Sequence, residues 1–418
     1  MKLPLRLAIA LVIAASAAAE ARAVKLGTLT VEAGEHEREG TLVVFPCKLA
    51  DLVGDRLTPE QLAKGSLRLT SDWMDSTFIP AQWDPLADHD PDPRTGALVL
   101  MLKGKAAPKT ELPMTLTFDD RPGSTPLAVE DRDEKHLVFT CGGKGVLRYN
   151  YGVMKHAGGN TVYDRPCYIH PAWTPDGVVV TDDFPKDHYH QRGIFFAWVK
   201  TTCGDLHADY WNLGKKTGRT TFDKLTNVSA GPVVATMCSH NVLLAHEKPA
   251  IRERLIVRVW SLGGPWIFDV LVRHDAIDKP VTLDKNYYGG MAYRGAREWC
   301  DREKVAMLTS EGNDRKTGNL KHSRWVDTFG TIGGKPSGVV VFDHPSNPRH
   351  PQRNRLHPKV PYVGYILPQT APYTIERGKP LTLQYRFLVY DGQPDQARND
   401  RIARDLAEPP KVTWQRAK

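Results

Sequence analysis

Short apolar or alternating runs, each closed off by Gly, Pro, Asp or Asn, recur along this chain and confine it to β structure. Residues 42–45, 67–69, 98–102, 114–118, 178–181, 194–199, 233–237, 255–260, 266–272, 339–342 and 381–389 are of this kind. With 34 Gly and 31 Pro in the gaps, the runs end before any helical period can establish itself. Strands at this spacing without helices between them predict sandwiches rather than a parallel sheet with crossover helices. Helical signals are few, at 59–63 behind Thr58 and at 395–406. The segment 118–135 is polar, bears Pro and Gly, and separates two apolar stretches, which marks a domain boundary. The expectation is therefore an all-β protein, with a small N-terminal β-sandwich over 24–130 and a large β-sandwich or supersandwich over 136–418.

Lys2 and Arg6 precede an apolar run over 7–19 and the small-residue site Ala21-Arg22-Ala23. This is the layout of a secretory signal peptide over 1–23, with the mature chain starting at Val24 and an exported, periplasmic or extracellular protein as the result. An uncleaved anchor is the alternative. No later segment reaches the roughly 18 apolar residues of a membrane helix, so no stable membrane insertion is expected. The net charge of +8 comes from scattered basic residues. A nucleic-acid partner would need them gathered in a stripe. Six cysteines at 47, 141, 167, 203, 238 and 300 show no metal-binding spacing. They permit up to three disulfides in an oxidising compartment, or buried thiols.

Chemistry concentrates in 164–198, which packs three histidines, five aspartates and two arginines between aromatic runs. In extended backbone His188 and His190 share a side, so they can move a proton or hold a metal with a third ligand such as His170, Asp183, His344 or His350. Histidine suits acid/base work because its pKa lies near neutrality. Arg192 can orient a carboxylate or hydroxyl, or simply pair with Asp183 or Asp187. Arg165 and His170 stand beside the stiffening Pro166 and Pro171. A second cluster, with His344, Arg349 and His350, follows the apolar run at 339–342. Tyr288 and Arg294 flank Gly289-Gly290, and Trp325 stands next to Asp327. Aromatic rings stack on sugar C–H faces while Arg and Asp bond hydroxyls, although core packing produces the same letters.

Taken together, Arg165-Pro166, Tyr168-Ile169-His170-Pro171, Thr174-Pro175, Asp183-Phe184-Pro185, Asp187-His188, His190, Arg192-Gly193, Gly289-Gly290 with Arg294, Arg324-Trp325-Val326-Asp327 and the 343–349 stretch resemble the secreted bacterial "PmoA family" over roughly residues 145–392. That name refers to a methane oxygenase, whose subunit is an integral membrane protein. This chain carries no membrane helix after its leader. The resemblance implies a place in bacterial polysaccharide degradation and a strand pattern similar to the β-supersandwich of mutarotases and many polysaccharide lyases. Gln191 stands where a third histidine of that family often does, which weakens a metal cluster and leaves acid/base work intact.

The function expected is an exported carbohydrate-active enzyme, a glycoside hydrolase or lyase acting on plant or algal glycans. His188 or His190 would serve as acid/base, with Asp183 and Asp187 as carboxylates. Arg165, His170, Arg192, Tyr288, Arg294, Trp325, Asp327, His344 and Arg349 would hold the sugar. A noncatalytic glycan-binding protein and a metal-dependent oxidase are the alternatives. Nothing in the pattern names a cofactor.

Overall fold

Two large antiparallel sheets dominate the computed structural model, which describes residues 23–73, 78–85, 95–261 and 263–417. The expected leader lies outside the described residues. One eight-stranded sheet runs in the order Asn354–Leu356, Tyr362–Tyr365, Gly290–Arg294, Ile194–Ala197, Tyr168–Ala172, Lys144–Asn150, His136–Cys141 and Leu127–Arg132. The other runs Gly218–Ala230, Val234–Ala245, Lys248–Trp260, Trp266–Ala276, Leu381–Asp391, Lys335–Asp343, Trp325–Ile332 and Val305–Thr309. They share one apolar core, in which the Phe268 and Phe387 rings stack with centroids 5.0 Å apart. Four short strands, Leu206–Ala208, Thr201–Cys203, Val281–Leu283 and Tyr373–Ile375, form a further small sheet. We call the first eight-stranded sheet the front sheet and the second the back sheet.

The N-terminal body is a seven-stranded antiparallel sheet with its own core. The strand Thr95–Ala106 explains how it joins the rest, because its alternate residues face opposite ways. Leu98, Leu100 and Leu102 enter the body's own core, while Ala97 and Val99 pack with Trp260, Trp325, Phe342 and Tyr390 of the back sheet. A strand buried on both faces reads as a continuous apolar run, as 98–102 does. The expected boundaries need correcting on both sides. Leu127–Arg132 pairs with His136–Cys141 and so belongs to the front sheet, while the C-terminal strand Lys411–Arg416 returns to pair with Val24–Glu32.

Both expected helices form. Thr58 and Gln61 make a reciprocal cap on Pro59–Lys64, and Asp395 accepts from the Arg398 N–H at 2.9 Å to start Gln396–Ala407. Cys141, Cys167, Cys203, Cys238 and Cys300 form no disulfide, so the staples allowed by composition are not used.

Polar groups lock the N-terminal body onto the back sheet. Gln82 accepts from the N–H groups of Val233 and Val234, each at 3.0 Å, and donates to the Val234 carbonyl at 3.0 Å. Arg258 and Asp84 form a buried ion pair at 2.8 Å. Replacing Gln82 by Ala orphans two backbone donors on buried residues. Gln82→Ala should cost roughly 2 kcal/mol in urea unfolding, and an unchanged midpoint would mean that water replaces the amide without loss.

Candidate active site on the front sheet

The segment 182–193 is clamped at its base to the strand Gly290–Arg294. The Asp182 N–H donates to the Arg294 carbonyl at 3.1 Å, and the Arg294 N–H donates to the Gly193 carbonyl at 2.7 Å. Gly193 adopts a positive φ of 46°, and a Cβ there would collide with the Ile169 carbonyl oxygen. Above this base the chain folds into two turns, closed by His188 N–H to Pro185 carbonyl at 2.9 Å and Gln191 N–H to His188 carbonyl at 2.8 Å. The extended backbone expected for 188–190 is therefore absent. The turns nevertheless bring the His188 and His190 rings to a centroid distance of 5.6 Å.

Strand register supplies the floor. Phe195 pairs with Ala292, and Tyr362 pairs with Arg294, two positions further on, so Phe195, Arg294 and Tyr362 share one face of the front sheet. Trp211 lies on this floor, with its ring 4.9 Å from Phe195 and 5.7 Å from both Tyr288 and Tyr362. His190 approaches Trp211 at 6.1 Å, and His357 sits 5.5 Å from His188 and 6.5 Å from Tyr362.

Arg294 organises the charges. It is fully buried, donates to the Gln191 amide oxygen at 2.9 Å, and forks onto both Asp187 oxygens at 3.0 and 3.1 Å. Burial works to raise the Asp187 carboxyl, but the Arg294 guanidinium, with help from His188, outweighs it and holds the group below its usual range. Burial pushes His190 and His357 down to about 4, and the charges of His188 and the neighbouring arginines act in the same direction. The Nδ1 atom of His357 accepts from the N–H groups of Lys359 and Val360, both at 3.2 Å, which leaves the proton of the neutral ring on Nε2. The site thus presents half-buried neutral imidazoles of His190 and His357 and the Tyr288 hydroxyl, over a buried aromatic layer of Phe195, Trp211 and Tyr362. Among the described residues no group of three His, Cys, Asp or Glu side chains is arranged to hold a metal ion.

Of the residues singled out from sequence, His188, His190, Asp187, Tyr288 and Arg294 come together here. Asp183 and Arg192 are committed to each other: buried Arg192 pairs with Asp183, donates to the Tyr168 hydroxyl, and stacks on Phe184 at 3.3 Å. Their expected roles as catalytic carboxylate and sugar ligand give way to that of a strut. Arg165 is buried beneath the floor, donating to the Phe196 carbonyl at 2.9 Å and stacking on Phe195 at 4.8 Å. Burial lowers it to about 10. His170 bonds Thr181 at 2.9 Å, and burial lowers it to about 4.

Four expected sugar ligands lie elsewhere. Trp325 is buried against the N-terminal body and donates to Asp400 at 2.9 Å. Asp327 is buried in the back sheet, where burial lifts it to about 7 even though Tyr390 and Asn399 donate to it. Arg349 is spent on the carbonyls of Leu367, Ala371 and Pro372. His344 faces a different cavity, between the N-terminal body and the back sheet. Sequence reasoning missed Gln191 as the support of Arg294, and also Trp211, Tyr362 and His357. His357-Pro358 repeats the His-Pro step of 170–171, 344–345 and 350–351, a signal that was present in the chain.

The neutral histidines make stability depend on pH. His170, His190, His344 and His357 are each pushed to about 4, against 6.5 when unfolded. Between those values the unfolded chain binds protons that the folded chain refuses. Stability should hold above about pH 6.5 and fall as pH drops toward about 4, read as a declining urea midpoint. A midpoint flat over that window would contradict the burial of these rings.

The sequence model of a family of unknown function (DUF6807) matches residues 136–404. No curated protein matches the chain. A crystal structure of a protein in glycosyl hydrolase family 38 from Enterococcus faecalis is 10% identical, with a TM-score of 0.42, over 93% of this chain and 47% of that one. The chain spans about half the length of that protein. Among the described residues no helix is long and apolar enough to cross a membrane.

Proposed function

The chain belongs to the DUF6807 family, and we propose that it is a carbohydrate-active enzyme using histidine acid/base chemistry, with elimination the form its site fits best. The observation that carries this reading is the commitment of Asp182, Asp183 and Asp187 to arginines at the histidine cluster. A two-carboxylate glycosidase needs one carboxylic acid held protonated. Asp187 is shifted the opposite way, and the raised carboxyl of Asp327 is buried in the back sheet.

In a lyase the base takes the proton alpha to a uronate carboxylate, and a hydroxyl or imidazolium protonates the leaving oxygen. His190, neutral at neutral pH, fits the base, while His357, whose Nδ1 is taken by backbone N–H groups, offers its Nε2–H as a donor, and Tyr288 packs on Trp211 as His190 does. An arriving carboxylate raises the pKa of a nearby imidazole and so strengthens it as a base. Exposed Tyr287 and half-buried Tyr288, backed by buried Trp211, offer faces for sugar rings. The PmoA-like motifs and the basic, apolar leader support a role in glycan breakdown after export.

Incubation with uronate-containing oligosaccharides, followed by mass spectrometry, should give cleavage without added water and with a new double bond. His190→Ala and His357→Ala should each lower kcat/KM by about 100-fold or more with the thermal midpoint retained. The acid limb of kcat/KM should lie near 4, because His190 must be neutral to act as the base. Products carrying one added water would replace elimination with hydrolysis. Binding without any product would leave a glycan-binding module.

A further inference from the structure

A second cleft lies between the N-terminal body, the back sheet and the helix Gln396–Ala407, with a volume of about 310 Å³. Leu42, Val44, Ile402 and Leu406 give it apolar surface, and Val44 is 42% exposed at its mouth. The back sheet gives it polar surface. Arg386 pairs across strands with Asp269, Asp269 with Arg258, and Gln384 stands two positions from Arg386, so all four share one face.

Charges lining this cleft are already neutralised. Arg386 forks onto Asp269 at 2.7 and 2.8 Å, Arg258 meets Asp84 at 2.8 Å, and Asp405 meets Arg38 at 2.7 Å. An incoming ion would find its counter-charge taken. Two neutral groups are left over. The Gln384 side-chain amide has no hydrogen-bond partner among the described residues, although its backbone is bonded by Asn347. His344 accepts the Ser346 N–H on Nδ1 at 3.2 Å, so its neutral ring carries the proton on Nε2, which has no partner among the described residues.

We propose that this cleft is a binding site for a neutral mono- or disaccharide, separate from the histidine cluster on the front sheet. A sugar is uncharged, offers a C–H face to Leu42, Val44 and Ile402, and uses each hydroxyl as donor and acceptor. The Gln384 amide, the His344 Nε2–H and the ion-paired oxygens and N–H groups supply both roles. The volume is at the small end of small-molecule sites, and junctions between domains are where such sites occur. Because it is on the opposite side of the sandwich from the proposed active site, it stands or falls independently of that reading.

Calorimetric titration of the full chain with galactose, xylose and cellobiose, with glucuronate as the charged probe, tests it. At least one neutral sugar should bind, with its Kd raised about 10-fold or more by Gln384→Leu and left unchanged by His190→Ala. Should Gln384→Leu fail to fold, Val44→Asp at the exposed mouth gives the same reading. Binding of none of the three neutral sugars overturns the proposal. So does a loss that follows His190→Ala instead of the cleft variants, or a clear preference for glucuronate at this cleft.

Discussion

A sheet has two faces, and a sandwich core covers only one of them. Both eight-stranded sheets spend their inner faces on the shared core, so everything else about the molecule follows from how the outer faces are covered. The back sheet is covered by a folded body and by the helix Gln396–Ala407, through Trp260, Trp325, Phe342 and Tyr390. The front sheet is covered at one end by turns and a tryptophan. A rigid body makes a sealed joint with a small cleft at its rim, whereas turns carrying histidines make a surface that chemistry can use.

The cost of this second solution is a buried guanidinium. Arg294 projects from a strand into the cover, and burying that charge is tolerable because Gln191 and Asp187, from the turns above, receive its N–H groups together with the Cys300 sulfur. The same bonds fix the turns. Arg192 and Asp183 repeat the device one step along the segment, with Tyr168 and Phe184 sandwiching the guanidinium. Two arginine-centred knots thus hold a segment that is also anchored by Arg297 on Asp182 and by the backbone bonds at its base.

What was legible in the sequence follows the range of the interactions involved. The apolar runs at 98–102, 233–237 and 266–272 announce strands because alternation and burial are local properties, and Asp395 announces its helix for the same reason. Lys411–Arg416 gave no such sign, since it is a short polar edge strand defined by pairing with Val24–Glu32 at the far end of the chain. The site divides in the same way. His188, His190 and Asp187 stand out by local density, while His357 and Tyr362 arrive through the pairing of Gly290–Arg294 with Tyr362–Tyr365. Trp325 and Asp327 misled because an aromatic ring beside a charge is also what a hydrogen-bonded interface requires.

Electrostatic consequences run outward from Arg294. A cation fixed under the histidines opposes protonation of His190 and His357, adding to the burial that already holds both near 4. It also draws Asp187 into the ionised state, so this carboxylate cannot store a proton at neutral pH. Under the proposed reading, proton handling at the surface would therefore fall to imidazole and phenol groups rather than to carboxyls. An anionic ligand arriving there would reverse the balance, supplying the negative charge that the imidazoles lack and raising their basicity only while it is bound. Under the proposed reading, the buried arginine that secures the loop also keeps the base quiet until a substrate carboxylate arrives.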